Sequence, residues 1–131
     1  MTKIYDTVLN NLDNNITYSQ FVAALIKPPE ELLKSLSPEQ MNLIHMVMGI
    51  SGEAGELLDS IKKFAIYNKP LDVTNVIEEL GDLMFYIEGI KNALNITDSQ
   101  ILQHNVTKLS KRYESLSYSD KAAVERKDKN E

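Results

Sequence analysis

Apolar residues recur at three- and four-residue intervals along most of the chain, the spacing that places them on one face of an α-helix. The pattern is clearest between Asp72, a residue type that caps helix N-termini, and Asn95, which suits a C-terminal stop. These signals predict a helix from Val73 to Leu94. Its apolar positions are Val76, Ile77, Leu80, Leu83, Met84, Ile87 and Ile90.

A second long helix precedes it. Ser37 can cap this helix, Pro38 suits the first helical position, and Gln40 completes a capping box. The helical pattern then continues to about Tyr67, where the run Asn68-Lys69-Pro70 ends it. We expect the two long helices to be antiparallel because their connection is short.

Weaker signals divide the rest of the chain. A capping box at Thr97 and Gln100 opens a helix from Asp98 to about Tyr113. Three further elements are predicted: a possible N-terminal helix over 1–16, an apolar stretch from Phe21 to Ile26 that stops at Pro28-Pro29, and a helical turn from Glu30 to Leu36. Residues 114–131 are a polar tail, either partly disordered or docked. The predicted fold class is all-α, a compact four- to five-helix bundle in one domain over 1–131.

The amino-acid composition limits the classes of molecule that the protein is expected to bind. Hydrophobic residues make up 43% and charged residues 25%, which is typical of a soluble globular protein. The net charge of −5 argues against binding a nucleic acid polymer, and the absence of Cys excludes disulfides, thiolate metal sites and a Cys nucleophile. No signal peptide is visible, and no apolar run approaches the roughly 20 residues that span a bilayer. We therefore expect a cytoplasmic protein with no membrane partner.

Two pairs of acidic residues are the candidate metal-binding residues. Glu53 and Glu56 lie three apart on the first long helix, and Glu79 and Asp82 lie three apart on the second, so each pair projects from one helix face. Like charges at this spacing repel, and two such pairs on facing helices are explained if they share a cation. Carboxylate oxygens suit Mg²⁺ or Mn²⁺. Spacing alone leaves a solvated acidic face equally open.

Three glycines interrupt the first acidic helix at spacing three: Gly49, Gly52 and Gly55. Each costs roughly 1 kcal/mol relative to Ala in a helix interior. They therefore indicate either a smooth strip that admits a ligand or a place where two helices pack closely.

These residues resemble the MazG-like family of all-α nucleoside triphosphate pyrophosphohydrolases, whose hallmark is Glu-x-x-Glu, a spacer and Glu-x-x-Asp. The chain carries GEAGEL at 52–57 and EELGDL at 78–83, and 22 residues separate Glu56 from Glu79. Similar matches follow at Ile61-Lys62-Lys63, at Phe85-Tyr86 and in the run N-x-x-K-L-x-x-R-Y at 105–113. The resemblance covers about residues 17 to 128, and it departs from many members at Glu114, where they carry Pro.

The resemblance implies a magnesium ion, with Mn²⁺ as a possible substitute, held by Glu53, Glu56, Glu79 and Asp82. It implies cleavage of a nucleoside triphosphate between the α- and β-phosphates, which gives a monophosphate and pyrophosphate. Either Glu53 or Glu56 is predicted to accept the proton of the attacking water. The family also implies a homodimer or homotetramer, which agrees with the marginal core of so small a domain.

Five further residues are predicted to bind substrate. Lys63, on the acidic side of its helix, reaches phosphate or forms an ion pair with Asp59, and Tyr86 contacts the nucleotide or packs in the core. The others, Asn105, Lys108 and Arg112, share one helix stripe and suit sugar, base and phosphate groups, the alternative being a solvated face.

Two other functions remain open on the sequence. One is a narrower hydrolase, specific for dUTP or dCTP or acting on phosphoribosyl-ATP. The other is a non-catalytic helical oligomer whose acidic residues form a solvated or partner-binding face.

Overall fold

The helices of the structure begin and end close to the predicted boundary signals. The structure, a computed structural model, describes residues 16–129, and over this range it contains α-helices, a 3₁₀ turn and no strand. The predicted all-α class is confirmed. The possible N-terminal helix over 1–16 lies, up to residue 15, outside the described residues.

The chain forms two compact units, with the boundary between Ser37 and Pro38. In the first unit, helix α1 spans Tyr18–Leu25 and helix α2 spans Pro29–Ser35. A capping box that was not predicted opens α1. In it, the Thr17 hydroxyl accepts from the Gln20 N–H at 3.2 Å, and the Thr17 N–H donates to Gln20 Oε1 at 2.8 Å.

The second unit holds the candidate site residues. Its elements are α3 (Pro38–Ala65), α4 (Val73–Leu94), α5 (Asp98–Arg112), α6 (Asp120–Glu125) and a 3₁₀ turn (Lys127–Lys129). The bounds of α4 match the prediction, while α3 stops two residues before Tyr67 and α5 one residue before Tyr113. The Asp72 side chain caps α4 by accepting from the Asn75 N–H at 3.0 Å.

Helices α3 and α4 pack against each other along their length as an antiparallel pair. The order of their contacts shows the direction. Ser60 near the end of α3 bonds to the first turn of α4, whereas Gly49 and then Met46, earlier in α3, face Tyr86 and Gly89, later in α4.

A tight corner joins α4 to α5. Asn95 adopts the left-handed conformation with φ of 53°, and the Ile96 N–H donates to the Lys91 carbonyl at 2.9 Å. The Lys91 side chain is only 12% exposed, and its ammonium binds the carboxylates of Glu88 and of Asp98, the latter at 2.8 Å. These contacts fix the direction in which α5 leaves α4.

The segment after α5 folds back onto that helix. Arg112 donates from Nε to Asp128 Oδ1 at 2.7 Å and from Nη2 to Asp128 Oδ2 at 2.8 Å, and the Asp128 side chain is 1% exposed. We call this two-bond pair the tail clamp. The neighbouring guanidinium lowers the pKa of Asp128 to about 2. Lys127 adds a more exposed ion pair with Glu114 at 3.1 Å. Of the two alternatives predicted for the polar tail, partly disordered or docked, the contacts of Lys127 and Asp128 favour the docked one.

Large apolar side chains remain exposed on the α3–α4 pair. No hydrophobic residue is fully buried among residues 16–129. Those more than half exposed on α3 and α4 are Val47, Met48, Leu58, Val73, Ile77, Met84 and Phe85. Two of them, Ile77 and Met84, belong to the apolar face predicted for the second long helix, so a single chain leaves part of that face in water. Over the same described range, no helix is long and apolar enough to cross a membrane.

Candidate functional site

Three of the four predicted metal ligands meet between α3 and α4. Glu53, Glu56 and Glu79 each offer a carboxylate oxygen, and these oxygens all lie within 4.8 Å of one another. We call this trio the acid cluster. Asp82, the fourth predicted ligand, lies outside the trio, but it is close enough for its charge to act on Glu53.

The surroundings of Glu53 disfavour its charged form. Desolvation raises the pKa of its carboxyl above the ordinary value, and the negative charges of Asp82 and Glu56 raise it further. A hydrogen bond with Glu79 acts in the same direction. The acid cluster therefore gathers carboxylates whose negative charges repel one another.

Glu79 is the buried member of the cluster, with 7% of its surface exposed, whereas its neighbour Glu78 is exposed. The Asn75 amide Nδ2 donates to Glu79 Oε1, and Asn75 Oδ1 accepts from the Ser60 hydroxyl at 2.8 Å. Ser60 is itself buried, at 8% exposure. We call this chain of hydrogen bonds the Ser60–Asn75 relay.

The relay was not predicted, although a signal for it is present in the sequence. Asn75 precedes Glu79 by four residues and Ser60 follows Glu56 by four, so both polar residues continue the acidic stripes of their helices. The stripe pattern placed them on the correct faces. It could not show that they meet across the helix pair.

An open cavity of about 220 Å³ adjoins the cluster and the relay. It is lined by Gly52, Gly55, Glu56, Asp59, Ser60, Lys63, Asn75 and Glu79. A Cβ atom added at Gly52 or Gly55 would meet nothing within 4 Å, whereas one at Gly49 would lie 2.3 Å from the Tyr86 ring. The glycine strip thus serves both predicted purposes: helix packing at Gly49, and open space at Gly52 and Gly55.

Lys63 lines the cavity, but its charge is already paired. Its ammonium lies 2.8 Å from the Asp59 carboxylate, which raises the pKa of Lys63 and lowers that of Asp59. The predicted ion pair is therefore present. Because the Lys63 side chain is 60% exposed, it can still reorient toward an anion.

Tyr86 lies farther along the helix pair, where it packs against Gly49 and makes edge contacts with His45 and Phe85 at ring-centroid distances of 6.3 and 5.3 Å. Tyr86 is thus half-buried and packs between the two long helices, which is closer to the packing alternative predicted for it. Contact with a nucleotide stays a prediction.

The α5 stripe is divided in the structure. Asn105 and Lys108 line a separate open groove of about 600 Å³ that has no lining residue in common with the acid-cluster cavity. Arg112, predicted to bind phosphate, instead has its guanidinium committed to Asp128 in the tail clamp. Within one described chain, the structure therefore does not bring these three residues to the acidic residues.

The donor set fits a small divalent cation. Three carboxylates provide the hard oxygen ligands that Mg²⁺ and Mn²⁺ prefer, and the open cavity beside them leaves room for water and substrate oxygens. The burial of Glu79 beside two other carboxylates is costly without a compensating positive charge. A bound cation would supply that charge.

The chain is similar to known proteins over more than half of its length. Residues 41–117, more than half of the chain, match the family model described as the MazG nucleotide pyrophosphohydrolase domain. The Gene 37 protein of Mycobacterium phage L5 is 35% identical over 75 residues, a match that covers 53% of this chain and 65% of the phage protein. The chain thus spans just under two thirds of that relative. No solved structure matches the chain significantly.

Proposed function

Because the chain belongs to the family of MazG nucleotide pyrophosphohydrolase domains, we propose that it is a magnesium-dependent hydrolase of nucleoside triphosphates. It cleaves between the α- and β-phosphates and releases a nucleoside monophosphate and pyrophosphate. The observation that carries the proposal is the acid cluster: three carboxylates gathered beside an open cavity, one of them buried.

The acidic residues have distinct roles in this proposal. Glu53, Glu56 and Glu79 hold the cation, and Asp82 completes the predicted ligand set. When bound, the ion would supply positive charge to neutralise the phosphate chain and would polarise a phosphoryl oxygen. Glu53 or Glu56 accepts the proton of the attacking water, because both are less buried than Glu79.

The cavity wall accommodates the phosphate chain. Gly52 and Gly55 present no side chain, so an anionic group can come close to α3 there. Lys63 exchanges its exposed partner Asp59 for a phosphate oxygen. This exchange costs little, because exposed ion pairs of this kind contribute little to stability.

In this proposal the chain functions as a homodimer or homotetramer. The exposed apolar side chains of α3 and α4 support it, since a large apolar patch usually marks an interface. A second copy also accounts for the α5 stripe. Asn105 and Lys108 do not line the acid-cluster cavity of their own chain, so they serve the cavity of the partner.

A product assay tests the activity. The full-length protein is incubated with Mg²⁺ and each of the common and oxidised nucleotides, including dUTP, dCTP and phosphoribosyl-ATP, and pyrophosphate and orthophosphate are measured separately. We expect pyrophosphate and a monophosphate, and the preferred nucleotide distinguishes a broad from a narrow hydrolase. If no nucleotide is cleaved and none shifts the melting temperature with Mg²⁺, the protein is not this hydrolase.

A pair of adjacent variants provides the matched control. Glu79→Gln should lower turnover by at least about 100-fold with the helices retained, because it replaces a buried ligand. Glu78→Gln, at the exposed neighbouring position, should retain turnover. A non-catalytic oligomer would instead keep its assembly in both variants and show no turnover in the wild type.

A further inference from the structure

Glu79 differs from the other members of the acid cluster in what surrounds it. It is buried, and a second side chain from its own helix, Asn75, donates a hydrogen bond to its carboxylate. A side chain from the facing helix, the buried Ser60, in turn bonds to Asn75 at 2.8 Å. Both helices therefore contribute to the position of one carboxylate.

The relay has a direction, which follows from the chemistry of its members. An ionised carboxylate can only accept, so the Asn75 amide must turn its NH₂ group toward Glu79. The amide oxygen then faces α3, and the Ser60 hydroxyl must donate to it. Only one oxygen of Glu79 receives this bond, and a carboxylate has further lone pairs, so capacity to bind a cation remains.

We propose that Ser60 and Asn75 are positioning residues that hold the Glu79 carboxylate in place for the divalent cation, and that the relay thereby sets the cation affinity of the site. This inference rests on the proposed function, in which Glu79 is a metal ligand. Residues that bond to a metal ligand without touching the ion fix its orientation, and their loss costs about 10- to 100-fold in metal affinity.

The backbone makes Asn75 a rigid support. Its N–H donates to the capping carboxylate of Asp72 at 3.0 Å, so the residue is held in the first turn of α4 by both its main chain and its side chain. Ser60 sits near the end of α3, where the pair of helices closes toward its connection. The relay thus connects the closed end of the helix pair to the acid cluster.

Calorimetric titration of the full-length protein with Mn²⁺ tests the proposal without an activity readout. We expect Asn75→Ala to weaken Mn²⁺ binding toward the upper end of the range of about 10- to 100-fold, and Ser60→Ala toward its lower end. Ser60→Thr keeps the hydroxyl and should bind Mn²⁺ with nearly the wild-type affinity. Asn92→Ala, the same substitution at an exposed position of α4, should match the wild type.

The double variant Ser60→Ala/Asn75→Ala distinguishes a relay from two separate contacts. Because Ser60 acts through Asn75, the double variant should bind Mn²⁺ no more weakly than Asn75→Ala alone. Additive losses in affinity would overturn the relay.

Two other outcomes distinguish a failure of the positioning role from a failure of the proposed hydrolase function. Tight Mn²⁺ binding by the wild type together with unchanged affinity in Ser60→Ala and Asn75→Ala, even if their melting temperatures fall, would overturn the positioning role and leave the hydrolase proposal standing. Absence of Mn²⁺ binding by the wild type would overturn both. Ser60→Ala keeps the test valid if Asn75→Ala does not fold, since it removes only one oxygen atom.

Discussion

The acid cluster and the tail clamp are two charged regions of one folded unit, and they differ in how their charges are satisfied. In the tail clamp, the Arg112 guanidinium and the Asp128 carboxylate neutralise each other through two hydrogen bonds. In the acid cluster, three carboxylates face one another. Charges that satisfy each other hold the chain together, whereas the opposed charges of the acid cluster, in the function proposed above, would be satisfied by a cation.

The largest effect is expected at the acid cluster. Glu53→Gln should abolish Mn²⁺ binding and lower turnover by at least about 100-fold, while it raises the melting temperature of the metal-free protein at neutral pH. The gain follows from the raised pKa of Glu53, because its ionised form destabilises the folded state. The gain should be full above that pKa and vanish below the ordinary carboxyl pKa. Circular dichroism in EDTA at several pH values measures it.

A lower melting temperature for Glu53→Gln at neutral pH would contradict the unfavourable environment inferred for the ionised Glu53. Retained Mn²⁺ affinity would contradict the role of Glu53 as a ligand. The acid cluster would then differ from the tail clamp less than we propose, because this carboxylate would not need a cation.

The next effect is expected at the tail clamp. Arg112→Ala and Asp128→Ala should each lower the melting temperature, because each leaves the other member unpaired at a buried position. The double variant should be no less stable than either single one, which thermal denaturation can show. A rise in KM for Arg112→Ala that Asp128→Ala does not share would return Arg112 to the substrate site, as the sequence predicted, and would break the comparison.

A smaller effect, on stability and turnover, is expected when the glycines of α3 are replaced by Ala, and it should differ between Gly49 and Gly52. Gly52→Ala should stabilise the protein by about 0.5 to 1 kcal/mol through helix propensity, yet lower turnover because the new methyl group narrows the cavity. Gly49→Ala should destabilise it, since a Cβ there lies 2.3 Å from the Tyr86 ring. Gly81→Ala, in open space on α4, is the control for propensity alone. Equal behaviour at Gly49 and Gly52 in chemical denaturation would refute the division of the strip.

The smallest effect is a pH dependence confined to the tail clamp. The folded pKa of Asp128, about 2, lies below its ordinary value of 3.8, so the folded state prefers the ionised form. Its contribution to stability is therefore full above about pH 4 and is lost as the pH falls through about 2. The difference in melting temperature between the wild type and Asp128→Asn should be constant above that window and shrink within it. A difference that shrinks toward high pH would refute the assignment.

The parts of the fold that the sequence predicted are those with local causes. Helix α4 was predicted with its observed bounds because Asp72 and Asn95 act within one turn of its ends. The capping box at Thr97 and Gln100 is likewise present. The tail clamp joins residues 16 positions apart, and no periodicity connects them, so it became visible only in three dimensions.

The candidate site shows the same limit. Helical spacing pairs Glu53 with Glu56, and the structure places these two beside Glu79 and leaves Glu78 exposed. The contact between Ser60 and Asn75 depends on the axial register of α3 against α4. Packing sets that distance, and neither helix encodes it alone.

The corner at Lys91 has a genetic consequence. It joins α4 to a helix, α5, whose Asn105 and Lys108 line a groove separate from the acid-cluster cavity of their own chain, and we call these two residues the arm. In a two-fold symmetric dimer, each active site would then draw its acidic residues from one gene copy and its arm from the other. A chain disabled at Glu79 and a chain disabled at Lys108, each inactive alone, would complement each other by building one working site in every mixed dimer.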